Sequence, residues 1–133
     1  MTVKRSHIMY PLLATPGRVV RKSERQELFT FKRSGIRYQL LSGKSGHLKT
    51  ICISIEPGGD YGEVPLGHEG DEFGIILEGS MEITVNNDTY LLGEGDSIYI
   101  ESYSPHKYRN TSNTRCISLW VVQGASSDIR SDG

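Results

Sequence analysis

Three side chains in a sequence of 133 residues have the chemistry to hold one transition metal: His68, Glu72 and His106. Two imidazoles and a carboxylate make the facial set of a non-haem iron site, and such a set leaves coordination positions open to a substrate or ligand. Iron, manganese, nickel and zinc would all accept it. His68 and Glu72 share the glycine-bounded stretch Gly62 to Gly79, GEVPLGHEGDEFGIILEG, and His106 comes from a second, Gly95 to Asn110, GDSIYIESYSPHKYRN. A plainer alternative stands beside this one, in which these are strand histidines satisfied by nearby carboxylates such as Glu72. His7 and His47 lie outside both stretches and are expected at the surface. Glu69 and Asp71 flank the first cluster, and because neighbours in a strand or turn point different ways, both are expected to be solvated, with Glu69 a spare ligand.

For His68 and Glu72 to meet one ion, the chain between them cannot be straight. Four extended residues span roughly 13 Å, whereas ligands sit about 2.0–2.2 Å from their metal. A helical turn would bring i and i+4 together, but Pro65, Gly67, Gly70, Gly74 and the β-branched pair Ile75-Ile76 disfavour helix. The spacing predicts a bend at Gly70-Asp71 instead, then a strand over Glu72 to Leu77 and a turn at Glu78-Gly79-Ser80.

These residues resemble the two sequence motifs of the cupins. Gly62, His68, Glu72 and Gly79 fall on the glycine, first histidine, glutamate and closing glycine of the first motif, while Gly70 stands where a second histidine is usual. Gly95, His106 and Asn110 match the second motif, with Glu101 and Tyr103 in place of its proline and glycine. From Val19 to Val122 the chain looks like the C-terminal cupin domain of XRE-type helix-turn-helix transcriptional regulators, through VVRKSER, SGIRYQLLSG, HEGDEFGIILEG, LGEGDSIYI, SPHKYRN and LWVV in that order. The His-x3-Glu…His pattern is also similar to that of the hydroxypropylphosphonate epoxidases, which are iron enzymes of related build. The resemblance implies a cupin-like double-stranded β-helix, that is, an all-β jelly-roll barrel. It implies either a sensor of a small-molecule effector or a stand-alone metal-dependent oxygenase, epoxidase or isomerase.

Length and composition bound these alternatives. A chain of this size with 36% hydrophobic residues makes one domain with one core. There is no run of eighteen apolar residues, so no membrane span is expected, and Ile8 to Ala14, broken by Pro11, lacks the shape of a secretory signal. A cytoplasmic protein is the expectation. Up to Arg37 nine Lys or Arg stand against Glu24 and Glu27, a balance of +7, and the remainder carries six basic and fourteen acidic residues, a balance of −8. Such asymmetry suits a nucleic-acid arm or, more plainly, outer strands pairing charges across a sheet edge or dimer. Cys52 and Cys116 each fall inside a predicted strand, lack C-x-x-C spacing and are expected as reduced buried thiols.

Along the chain, residues 1–17 carry no period and contain Pro11, Pro16 and Gly17, the marks of an arm or linker, and 124–133 is a polar tail. The barrel should occupy 18–123. Short strands are expected at Val19 to Arg21, Glu27 to Lys32 and Ile36 to Leu41, and Leu48 to Glu56 alternates with Ile51, Ile53 and Ile55 on one face. Met81 to Val85 and Thr89 to Leu92 form a hairpin about Asn86-Asn87-Asp88, followed by Ser97 to Ile100, His106 to Arg109 and Arg115 to Val122. Tyr38, Tyr108, Trp120 and Ile100 are the expected lining of a small-molecule cavity, Tyr108 because it shares parity with His106. Exposed strand edges call for a homodimer. With no helix-turn-helix in view, the chain is not expected to contact DNA directly.

Overall fold

The β-branched alternation of Leu48 to Ile55 produces the strand on which the larger sheet is laid out. In the computed structural model, which describes residues 18–31, 35–42, 47–60 and 69–124, the strands are β1 (Gln26–Phe31), β2 (Ile36–Leu40), β3 (Leu48–Ile55), β4 (Glu72–Glu78), β5 (Met81–Val85), β6 (Asp88–Leu92), β7 (Ser97–Ile100), β8 (His106–Arg109) and β9 (Cys116–Gln123). The expected arm, residues 32–34, residues 43–46, the stretch 61–68 with His68, and residues 125–133 lie outside the described residues. One expected strand does not form. Arg21 is extended (φ −75°, ψ 151°) but leads into a 3-10 turn at Lys22–Glu24, and three residues carry no period for a ladder to select. No helix among the described residues is long and apolar enough to cross a membrane.

The strands pair in antiparallel fashion in two sheets, one ordered β1-β2-β3-β9-β4-β7 and the other β6-β5-β8. Side chains from both sheets share one buried cluster: Ile36, Ile53, Ile55, Ile76 and Trp120 from the larger meet Met81, Ile83 and Tyr108 from the smaller. The sheets therefore pack face to face as a jelly roll. Cross-strand register sets the inner rows. Ile51, Trp120 and Gly74 are paired neighbours, and so are Ile53, Ser118 and Ile76. The outer face of β9, with Ile117, Leu119 and Val121, is half-buried rather than sealed. Cys116 pairs with Ile55 and faces inward, whereas Cys52 pairs with Leu119 and faces out. Both thiols are free and buried, and burial pushes the Cys116 thiol up to about 11.

Polar groups inside this core are all partnered among the described residues. Trp120 Nε1–H donates to Ser118 Oγ at 2.8 Å, and Ser118 Oγ–H donates to the Ile53 carbonyl at 3.4 Å. Asn110, the last residue of the second motif, donates both amide hydrogens to the Ile55 and Thr114 carbonyls and accepts from the Ser112 N–H and hydroxyl. It closes the β8–β9 connection and ties it to β3, a structural duty rather than a chemical one.

Two residues at turns and crossings carry steric information. The Trp120 ring lies flat on Gly74, where an added Cβ would come within 2.5 Å of the nearest ring carbons, so glycine is the residue that lets the aromatic cover the strand. Tyr103, standing where glycine is usual, keeps a left-handed backbone (φ 63°) with its ring exposed, a conformation unfavourable for a bulky residue.

Two stability measurements follow from these contacts. Gly74→Ala should cost about 1–3 kcal/mol by overpacking and shift the emission of Trp120, the lone tryptophan; urea melts with fluorescence detection check it, and wild-type stability would contradict the stacking. Tyr103→Gly should raise stability by about 0.5–1 kcal/mol, the left-handed penalty less the entropy that glycine adds to the unfolded chain. A loss of stability in that variant would show that the tyrosine side chain offsets the strain.

Candidate functional site

Glu72 and His106 open their strands at the same rim of the barrel, and the local sequence explains each. The bend expected at Gly70-Asp71 falls one residue earlier, at 69–70: Gly70 has φ 104°, and β4 begins two residues later. Parity then turns Glu72, Gly74 and Ile76 inward and Phe73 outward. Glu72 lies between the apolar cross-strand partners Ile100 and Val122, so its carboxylate sits in an inner row that is otherwise hydrophobic. Burial of an ion in such a row is costly unless it is paired.

His106 supplies the pairing. Its Nε2 lies 3.2 Å from Glu72 Oε2, with the two side chains 11% and 9% exposed. Its Nδ1 lies 2.9 Å from the Ser104 carbonyl, which can only accept, so the network assigns the Nδ1 proton to that bond and directs Nε2 at Glu72, as a second donor when the ring is protonated and as a lone pair open to a metal when it is neutral. A backbone carbonyl on one ring nitrogen is the usual device for fixing a metal-binding imidazole. The spacing fits as well, since two donors each about 2.1 Å from one ion and at right angles to it lie about 3 Å apart. His68, the third expected ligand, lies outside the described residues, and among the described residues no three His, Cys, Asp or Glu converge.

Position 70, where the second histidine of the first motif would stand, is closed by geometry. A Cβ there would collide with the Gln123 carbonyl oxygen, and the backbone is left-handed. A side chain at that position would point at the end of β9 rather than at Glu72.

The aromatic residues expected to line a cavity do meet. The Tyr38 and Tyr108 hydroxyls are hydrogen-bonded to each other, and the Tyr108 and Trp120 rings stack at 6.3 Å and 28°. Tyr108 projects to the same side of β8 as His106, and Ile100 is the direct neighbour of Glu72. Tyr38, Tyr108, Trp120 and Ile100 are all buried within the core cluster.

Asp71 stays accessible to solvent and is also engaged: its carboxylate accepts from the Ser102 N–H at 2.9 Å and hydroxyl at 3.2 Å, and from the Tyr99 hydroxyl. These bonds, Tyr99 foremost and the Ser102 N–H next, hold the carboxyl below the usual aspartate range, and the carboxylate in turn raises the Tyr99 phenol. No local pattern could have revealed this, because the partners are thirty-one and twenty-eight residues away. Glu69 is exposed, as expected.

The chain spans about a third of the length of the curated relatives described next. It is 38% identical over 69 residues to the HTH-type transcriptional regulator PuuR of Escherichia coli K12, covering 52% of this chain and 37% of that protein. It is 32% identical over 105 residues to quercetin 2,3-dioxygenase of Bacillus subtilis, covering 69% of this chain and 31% of that protein. Among solved structures, the cupin-2 domain of an XRE family transcriptional regulator from Enterobacter cloacae superposes with a TM-score of 0.61 at 16% identity, over 68% of this chain and 98% of that one. The profile of the cupin domain family matches residues 52–122, a segment that runs from β3 to β9 and contains both Glu72 and His106; the chain belongs to the cupin domain family.

Proposed function

We propose that this cupin domain, over residues 18–123, is an effector-binding module of the kind attached to transcriptional regulators, with a divalent transition metal held by His106, Glu72 and His68. The observation that carries this reading is the buried contact between His106 Nε2 and Glu72 Oε2, with Nδ1 fixed on a backbone carbonyl. Iron, manganese, nickel or zinc suits the donor set, and three protein ligands leave positions for an effector. When bound, the metal supplies a Lewis-acidic centre that draws an oxygen or nitrogen donor of the effector to the rim. Tyr38, Tyr108, Trp120 and Ile100 provide the apolar and hydroxyl-bearing wall against which the rest of the molecule lies. Similarity to PuuR over 69 residues supports the regulatory setting.

In this reading the protein is a cytoplasmic homodimer, and effector binding changes how the subunits pair. Half-buried apolar residues on the outer face of β9 and the short edge strand β7 are surfaces a partner subunit would cover. In this reading contact with DNA falls to other segments of a regulator rather than to the barrel.

A metal-dependent enzyme is the second reading, favoured by the similarity to quercetin 2,3-dioxygenase over 69% of the chain. Here the same three ligands would hold iron or another transition metal, and a tyrosine would orient the substrate.

Elemental analysis and nickel titration of protein purified without added metal test the shared premise. About one ion per chain is expected, with affinity lowered at least about 100-fold in His106→Ala and in Glu72→Ala. Absence of binding under every loading condition would remove both metal-based readings. Sedimentation at micromolar concentration should give a dimer, and a monomer would contradict the subunit-pairing account.

A further inference from the structure

We propose that Asp71 is a positioning residue: one carboxylate fixes the loop that aims His106 at Glu72. The proposal deepens the reading of the Glu72–His106 pair as a binding site, and its test runs without metal. Asp71 Oδ1 accepts from both the N–H and the hydroxyl of Ser102, and Ser102 Oγ accepts from the Gly70 N–H at 2.9 Å. The Tyr99 hydroxyl engages Asp71 Oδ2. Asp71 is itself anchored, because its carbonyl accepts from the Gln123 N–H at 2.9 Å. Ser102 is thereby referenced to the entry of β4 and the end of β9 rather than to its own loop.

The chain between Ser102 and His106 needs such a reference. Tyr103 holds φ 63° and is 65% exposed, so little packing offsets the unfavourable backbone. The next residue, Ser104, donates its N–H to the Glu101 carbonyl at 3.1 Å and presents its own carbonyl to His106 Nδ1. If Ser102 is released, Tyr103 can relax to negative φ, which reorients the peptide between Tyr103 and Ser104 and withdraws the Ser104 carbonyl from Nδ1. An imidazole without that bond can turn or change tautomer, and Nε2 no longer faces Glu72. Glycine at position 103 would keep the left-handed conformation without help, so positions 71 and 103 are coupled through the loop.

The test is 15N NMR of the metal-free, isotope-labelled full chain, reading exchange of the His106 Nδ1 proton. Asp71→Ala should accelerate that exchange at least about tenfold, while amides of β3 keep their protection. Adding Tyr103→Gly to Asp71→Ala should restore the rate to within about threefold of wild type, a rescue that general destabilisation would not give. Nickel affinity, measured in parallel, should fall about 10–100-fold in Asp71→Ala. Wild-type exchange in folded Asp71→Ala, or no rescue by Tyr103→Gly, would overturn the proposal. Should Asp71→Ala fail to fold, Asp71→Asn carries the test, with an intermediate acceleration expected and a wild-type rate overturning it. If the wild-type chain binds no nickel while the exchange rates follow this pattern, the metal reading falls and the positioning role of Asp71 stands.

Discussion

A carboxylate in an otherwise apolar row is the constraint around which this barrel is arranged. Glu72 projects inward between Ile100 and Val122, where an unpaired charge would be unfavourable by several kcal/mol. The molecule meets that cost with a histidine delivered from the opposite sheet, and it can do so only because β4 and β8 begin at the same rim. Both strands inherit their starting points from short irregular segments: the left-handed bend at Gly70 and the loop through Tyr103. Backbone geometry at two residues therefore decides whether one ion pair or ligand pair forms.

The rest of the fold makes that arrangement rigid. Trp120 covers Gly74 one inward position beyond Glu72 and stacks on Tyr108 one inward position beyond His106. Through this ring the two sheets are packed directly behind the site. The paired Tyr38 and Tyr108 hydroxyls add a hydrogen bond between the sheets. Ser118 and Asn110 take part in local hydrogen bonds, and Glu72 and His106 form an acid–base pair on the inner face among the described residues.

Much of this was legible in the sequence, and the limits have physical causes. Period-two alternation placed β3 and β5 closely, and the glycine at position 70 announced the bend because few other residues adopt that backbone conformation. The convergence of β4 and β8 followed from the motif resemblance rather than from periodicity, since alternation says which face a residue takes and not which strand lies beside it. Three features were illegible. Val19 to Arg21 was too short for its pattern to mean anything. Tyr103 gave no turn signal, because a bulky residue at positive φ is held by its surroundings and not by its own preference. The role of Asp71 depends on Ser102 and Tyr99, which local reading cannot connect to it.

The two proposed readings, sensing and catalysis, would place the same demand on this site: a Lewis-acidic centre held by side chains fixed before the ligand arrives. The most direct measurement is anomalous diffraction from crystals of the protein loaded with manganese. The account predicts one principal peak at the rim, about 2.1–2.2 Å from His106 Nε2 and from a Glu72 carboxylate oxygen, with Nδ1 still on the Ser104 carbonyl. A metal bound elsewhere, or a peak with the His106 ring turned so that Nδ1 is the ligand, would contradict it.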